Sequence, residues 1–172
     1  MKIELQPVGE VEDDILGQLK DRLHRSFGCP VQINQPVPVP EEAFTSGRKQ
    51  YLSDVFLQVL KSDKEAVAYR LAVTEVNLYT RGLNFVFGQA DVEGRVSIIS
   101  LYLLRPENSG PGDERSILYD RAEKEAVHEL GHNLGMGHCT DPSCVMHFSN
   151  SLIDTDVKKP YFCSRCRPKL PL

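Results

Sequence analysis

The chain has 172 residues and a net charge of −4, with 41% hydrophobic and 26% charged residues. A chain of this size can hide roughly two-thirds of its unfolded surface, so it can build a core without staples. The acidic balance excludes the basic face of a nucleic-acid module, and the C-terminal run of Lys158, Lys159, Arg165, Arg167 and Lys169 reads as solvated surface. The opening MKIELQPVGEVEDD lacks the apolar core of a signal peptide. No stretch reaches the roughly 20 apolar residues of a membrane helix. The expected location is therefore cytoplasmic, a reducing compartment that disfavours disulfides.

Residues 2–8 (KIELQPV) alternate as a strand does. Val11, Ile15, Leu19, Leu23 and Phe27 recur every fourth residue, which predicts a helix over 11–27 that Gly28 ends. Residues 31–39 alternate again, with Pro36 and Pro38 restricting their ladder bonds. The pattern predicts a helix over 41–61, interrupted near Gly47, with Leu52, Val55, Phe56, Val59 and Leu60 as its stripe. Three extended segments follow at 66–73, 83–90 and 95–104, punctuated by turns at Arg81-Gly82 and Glu93-Gly94. After a loop at 106–113, Leu118, Ala122, Ala126, Leu130 and Leu134 predict a long helix from about residue 116 to residue 134. This order predicts an α/β (α+β) chain with a mixed sheet packed by helices. The late strands are too close together for every connection to be a helical crossover. One domain over 1–172 is expected, with a sheet-and-helix part at 1–134 and a loop-rich segment at 135–172 that needs more than a core to hold it.

The chemistry concentrates in AVHELGHNLGMGHCTDPSCVMH, residues 126–147. His128 and His132 are four apart, one turn above the other on one helical face, and can share a zinc ion. The apolar stripe is centred on the opposite side, so the imidazoles are expected to face away from the packing, toward a cleft. Glu129 projects about 100° from His128, too far round to ligate but within reach of a water at the metal. Gly135 can turn the chain sharply and bring His138 back as third ligand. Three protein nitrogens leave one tetrahedral position open, the mark of a catalytic zinc site.

Cys139-x4-Cys144 and Cys163-x2-Cys166 form the paired spacing of a closed structural zinc site, which would clamp the C-terminal segment. Two zinc ions per chain are therefore expected. His138 and Cys139 are consecutive, and consecutive side chains in extended backbone point to opposite sides, one toward each ion. Cys29 is left over as a buried structural thiol.

HELGHNLGMGH resembles the long zinc motif of the metzincin metalloproteases. Its continuation, HC-x4-C-x-M and then C-x2-C, is similar to the archaemetzincin branch, and LNFVFGQA resembles that branch more weakly. Between Met146 and Cys163 lie 16 residues, one fewer than the family pattern, a difference a loop absorbs. The resemblance implies a metzincin-like mixed twisted sheet of about five strands, with one antiparallel edge strand above the cleft, for which residues 83–89 are the candidate. It implies zinc-dependent peptide-bond hydrolysis. His128, His132 and His138 would hold the catalytic zinc, with Glu129 as general base. Cys139, Cys144, Cys163 and Cys166 would hold the structural zinc, and Met146 would be the Met-turn methionine beneath the histidines. Without the resemblance, Met146 reads as a core methionine and His147 as a surface histidine. The expected partner is a peptide or protein substrate, with no nucleic acid, no membrane and a monomeric chain. The alternative reading is a non-catalytic or cleft-restricted zinc-containing peptide-binding protein. A nucleoside deaminase is excluded because its H-x-E and P-C-x-x-C elements are missing.

Overall fold

The computed structural model describes residues 1–61, 68–106 and 113–171. In chain order the elements are β1 (Lys2–Val8), α1 (Asp13–Phe27), β2 (Val31–Ile33), β3 (Phe44–Thr45), β4 (Gln50–Leu52), α2 (Ser53–Leu60), β5 (Ala68–Thr74), β6 (Leu78–Tyr79), β7 (Gly88–Asp91), β8 (Val96–Ser100), α3 (Asp113–Asn133) and α4 (Leu152–Val157). The main sheet has the order β2-β1-β5-β8-β7. Its first four strands run parallel, and β7 closes the edge antiparallel to β8, with Gly88 opposite Ile99. A small second sheet, β3-β4-β6, lies apart from it.

Alternation along the strands divides the core in two. Ile3, Leu5, Leu71, Val73 and Ile99 turn toward α1 and α3, where Leu19, Leu23, Leu118, Ala122, Ala126 and Leu130 meet them. Val8, Ala72, Val96 and Ile98 turn toward Phe56, Leu57 and Leu60 of α2. The sheet is thus covered on both faces, as its parallel strands require. Gly28 ends α1 in the left-handed conformation, its N–H donating to the His24 carbonyl. Cys29 is buried and unpaired, and that burial pushes its thiol up. Among the described residues, no helix is long and apolar enough to cross a membrane.

Several expectations are corrected. The helix expected over 41–61 exists only from Ser53, preceded by a 3-10 turn at Glu41–Ala43 and the antiparallel hairpin β3–β4. Lys49 takes a left-handed φ of 54° in the hairpin turn, which no helix can contain. The strand expected at 31–39 ends at Ile33, leaving Val37 with a single bridge to Val8. Pro36 and Pro38 have no N–H to extend it. The strand expected at 83–90 is laddered only over Gly88–Asp91. Upstream of it, Val86 N–H donates to the Leu78 carbonyl and the Phe87 carbonyl accepts from Ser100 N–H, while Arg48 donates to the Leu83 and Asn84 carbonyls and Gln50 to that of Asn84. The strand expected at 95–104 stops at Ser100, and Leu104 N–H closes a turn on the Leu101 carbonyl. Residues 66–67 and 107–112 of the expected strand and loop lie outside the described residues. Last, the C-terminal segment contains α4, whose start is fixed by reciprocal hydrogen bonds between Ser151 and Asp154.

Phe56 is fully buried on the α2 face. Phe56→Ala is expected to lower unfolding stability by about 3–5 kcal/mol, read as a shift of the urea midpoint at saturating zinc.

Candidate metal centres and cleft

Helix α3 carries the first half of the site, and its geometry is set by two glycines. At Gly131 a Cβ would collide with the Met146 sulfur and would lie 3.2 Å from the Phe162 ring, so only glycine lets Met146 pack beneath the helix. At Gly135, φ is 84°. Gly135 N–H donates to the His132 carbonyl and Met136 N–H to that of Gly131, the paired bonds of a Schellman turn. The chain then reverses and returns as His138.

These turns aim the imidazoles. His128 Nδ1 lies 2.7 Å from the Val145 carbonyl and His132 Nδ1 2.8 Å from that of Met136. A carbonyl only accepts, so each Nδ1 carries the proton and each Nε2 presents its lone pair. Those two Nε2 atoms are 3.1 Å apart. One ring nitrogen of each of His128, His132 and His138 lies within 4.8 Å of the others. Tetrahedral zinc with nitrogen arms of about 2.0–2.1 Å spaces its ligands by about 3.4 Å, so the trio fits such an ion. Burial holds all three imidazoles below the usual histidine range, most strongly at His128. They are therefore neutral, the ligating form.

His128 does border a cavity, as expected, but the face of α3 on which it stands is not open. His128 is only 4% exposed, and α3 is buried on every side from Ala122 to Gly131. Strand β7 covers the flank that the periodicity leaves open. A Cβ on Gly88 would sit 2.7 Å from the Glu129 carboxylate and 2.8 Å from the Ile98 carbonyl, so Gly88 lets the edge strand cross directly over Glu129. Asn133, at the end of α3, fixes that crossing by donating to the Asp91 and Val96 carbonyls. Burial raises the Glu129 carboxyl well above the usual range, as does the neighbouring Glu125, with Lys158 opposing both.

The four cysteines form a second cluster, their sulfurs all within 4.8 Å and those of Cys139 and Cys163 3.8 Å apart. Sulfur arms of about 2.3 Å put tetrahedral edges at about 3.8 Å, so a closed zinc site fits. Although burial opposes it, N–H groups of Cys166 and Arg165 draw the Cys163 thiol down to about 6. The Arg165 guanidinium lies 3.9 Å from the Cys139 sulfur. Cys139 N–H donates to the Met146 carbonyl, and His147 Nδ1 lies 3.0 Å from the Cys139 carbonyl. His147, expected at the surface, is half-buried and braces the backbone just after the His138–Cys139 junction.

Beside His128 and Glu129 opens a cavity of about 230 Å³, walled by residues 83–88 and 148–150. Its wall includes Glu125, one turn before Glu129 on α3. Glu125 accepts from Thr155 Oγ1 at 2.8 Å and lies 3.0 Å from Lys158 Nζ. Lys158 is fully buried, which corrects its reading as solvated surface, while Lys159, Arg165, Arg167 and Lys169 are exposed. Sequence reasoning missed this network. The four-residue spacing of Glu125 and Glu129 was a usable signal, but nothing in the sequence pairs Lys158 with Glu125.

Comparison with known proteins places the chain. Residues 13–171 match the family described as Peptidase family M54. The chain belongs to that family. Archaemetzincin of Pyrococcus furiosus is 44% identical, aligned over 95% of this chain and 89% of its own. Archaemetzincin of Methanocaldococcus jannaschii is also 44% identical, over 99% and 93%. The crystal structure of archaemetzincin from Archaeoglobus fulgidus, complexed with malonate, superposes with a TM-score of 0.87 at 35% identity, covering 99% of this chain and all of the other. That from Methanopyrus kandleri gives 0.85 at 35% identity, over 98% and 92%. The mixed five-stranded sheet with one antiparallel edge strand is thus the fold of this M54 chain.

Gly131→Ala forces the Met146 sulfur out of its seat. The expected outcome is a loss of about 1–3 kcal/mol together with weaker zinc retention, measured by thermal unfolding and by metal content after dialysis.

Proposed function

We propose that this M54 chain hydrolyses peptide bonds with Glu129 as general base, using one catalytic and one structural zinc. The observation that carries the reading is the convergence of two Nε2 lone pairs, oriented by the Val145 and Met136 carbonyls, with a ring nitrogen of His138, beside a cavity that His128 and Glu129 line. His128, His132 and His138 would hold the catalytic ion. Cys139, Cys144, Cys163 and Cys166 would hold the structural one. Met146 would act as the Met-turn methionine, supporting α3 from below at Gly131.

Zinc in the histidine site supplies Lewis acidity, which makes water acidic near neutral pH and polarises a carbonyl. Glu129 accepts the proton of the attacking water on its carboxylate and delivers it to the nitrogen of the leaving amine. Its dry surroundings under Gly88 raise its basicity, which suits that exchange. The outer edge of β7 offers backbone groups for an extended peptide to pair with, directly above Glu129. The four thiolates have no open position and take no part in the chemistry; they hold the segment that carries His138 and Met146.

Glu129→Gln preserves shape and removes the base. Peptide hydrolysis is expected to fall about 10²- to 10⁴-fold, while elemental analysis still finds two zinc ions per chain. Unchanged turnover would refute the assignment. Cys144→Ser is expected to lower the metal content to one ion or to leave the protein unfolded, and a full two-zinc content in that variant would contradict a separate cysteine site.

A further inference from the structure

The cavity beside Glu129 has a polarity the hydrolytic step does not need. Phe85 and Phe87 line it with their rings in edge contact 5.2 Å apart, and Phe148 lines its other wall. Against these rings stand two polar groups. Both contacts to Glu125, from Thr155 and from Lys158, fall on Oε1, so Oε2 takes neither, and Glu125 is part of the cavity wall. Ser149 Oγ, in the same wall, is buried with no hydrogen-bond partner among the described residues. Four residues of helix separate Glu125 from Glu129, about 6 Å of rise. That is the reach of one side chain measured from the reacting bond.

We propose that this cavity selects a tyrosine-like side chain beside the scissile bond, its ring among Phe85, Phe87 and Phe148 and its hydroxyl donating to Glu125 Oε2. The inference rests on the hydrolytic reading of the same cleft. Each competing class meets a specific obstacle. A phenylalanine or leucine side chain fills the apolar part but leaves Ser149 Oγ and Glu125 Oε2 dry and unpaired, and an enzyme site built to hydrogen-bond a hydroxyl rejects the analogue that lacks it. A lysine side chain would bring a second ammonium beside the buried Lys158 ammonium, which already stands 3.0 Å from Glu125 Oε1. An acidic side chain faces Glu125 and Glu129 together. A phenol is neutral, donates one hydrogen bond, accepts another from the serine hydroxyl and stacks on rings.

The test uses the zinc-loaded protein and a peptide set that places Tyr, Phe, Leu, Lys or Glu at each position flanking the cleaved bond. Tyrosine at one of the two positions is expected to exceed phenylalanine in kcat/KM by about tenfold or more. The same Tyr and Phe peptides, fluorescently labelled, are titrated onto zinc-loaded Glu129→Gln, where the Tyr peptide is expected to bind more tightly. Equal use of Phe and Tyr in both assays overturns the proposal and leaves the hydrolytic reading standing. Tighter Tyr binding without any cleavage by the unaltered protein sinks the hydrolytic reading and supports the pocket. Removing both charges together in the double variant Glu125→Met, Lys158→Met should bring the Tyr-to-Phe ratio toward one, and an undiminished ratio counts against Glu125. If the double variant does not fold, the two peptide comparisons decide the matter.

Discussion

The hydrogen bonds from His128 Nδ1 to the Val145 carbonyl and from His132 Nδ1 to the Met136 carbonyl are the constraint on which the site depends. An imidazole without such a bond can rotate or change tautomer, and then its Nε2 lone pair no longer points toward the other two rings. Both acceptors lie C-terminal to α3, in segments that have little regular structure. The Met136 carbonyl is set by the Schellman turn at Gly135. The Val145 carbonyl is set by the 144–147 turn, in which Val145 N–H donates to the Tyr161 carbonyl and Met146 takes a bond from Cys139 N–H. The cysteine cluster closes that same stretch. The two clusters are thereby coupled mechanically: the four sulfurs gather the backbone whose carbonyl aims the first histidine.

A second constraint is electrostatic. Glu125 and Glu129 stand one turn apart on a helix buried on all sides, and Lys158 is buried with them. Uncompensated charge at such depth costs several kcal/mol per ion, so these groups persist only where geometry pairs or neutralises them. Lys158 supplies one cation for two carboxylates, and it is delivered by the backbone immediately after α4. The Ser151–Asp154 capping box fixes the start of that helix, and Thr155 on it bonds Glu125. A short helix in the tail thus sets the charge balance beside Glu129. It also leaves Glu129 as the group whose burial is relieved only by the open cleft.

Much of the fold was legible because its elements carry one-sided patterns. The stripes of α1 and α3, the alternation of β1 and the turn signals at Gly82 and Gly94 all matched elements of the structure, since a surface that must be buried on one side imprints its period on the residues. The failures share a different cause. Apolar spacing over 41–61 also suits a hairpin followed by a helix, and the left-handed turn at Lys49 decides between them. Residues 83–87 look like a strand but share their bonds among Leu78, Ser100 and the Arg48 and Gln50 side chains of the β3–β4 hairpin, contacts with no local signature. The capping box of α4 was readable as S-x-x-D, though too short an apolar run followed to give it weight.

By itself the sequence determined which side chains cluster and in what order, because helical spacing puts His128 and His132 on one face and because glycine alone suits the turn at residue 135. It also determined the mixed sheet, through the spacing of the late strands. Tertiary structure alone decided that α3 is enclosed rather than open, that Gly88 and Gly131 are contact points for Glu129 and Met146, and that Lys158 is an interior cation. Those facts depend on which distant segments meet, and burial is a property of the assembled surfaces rather than of any residue's neighbours in the chain.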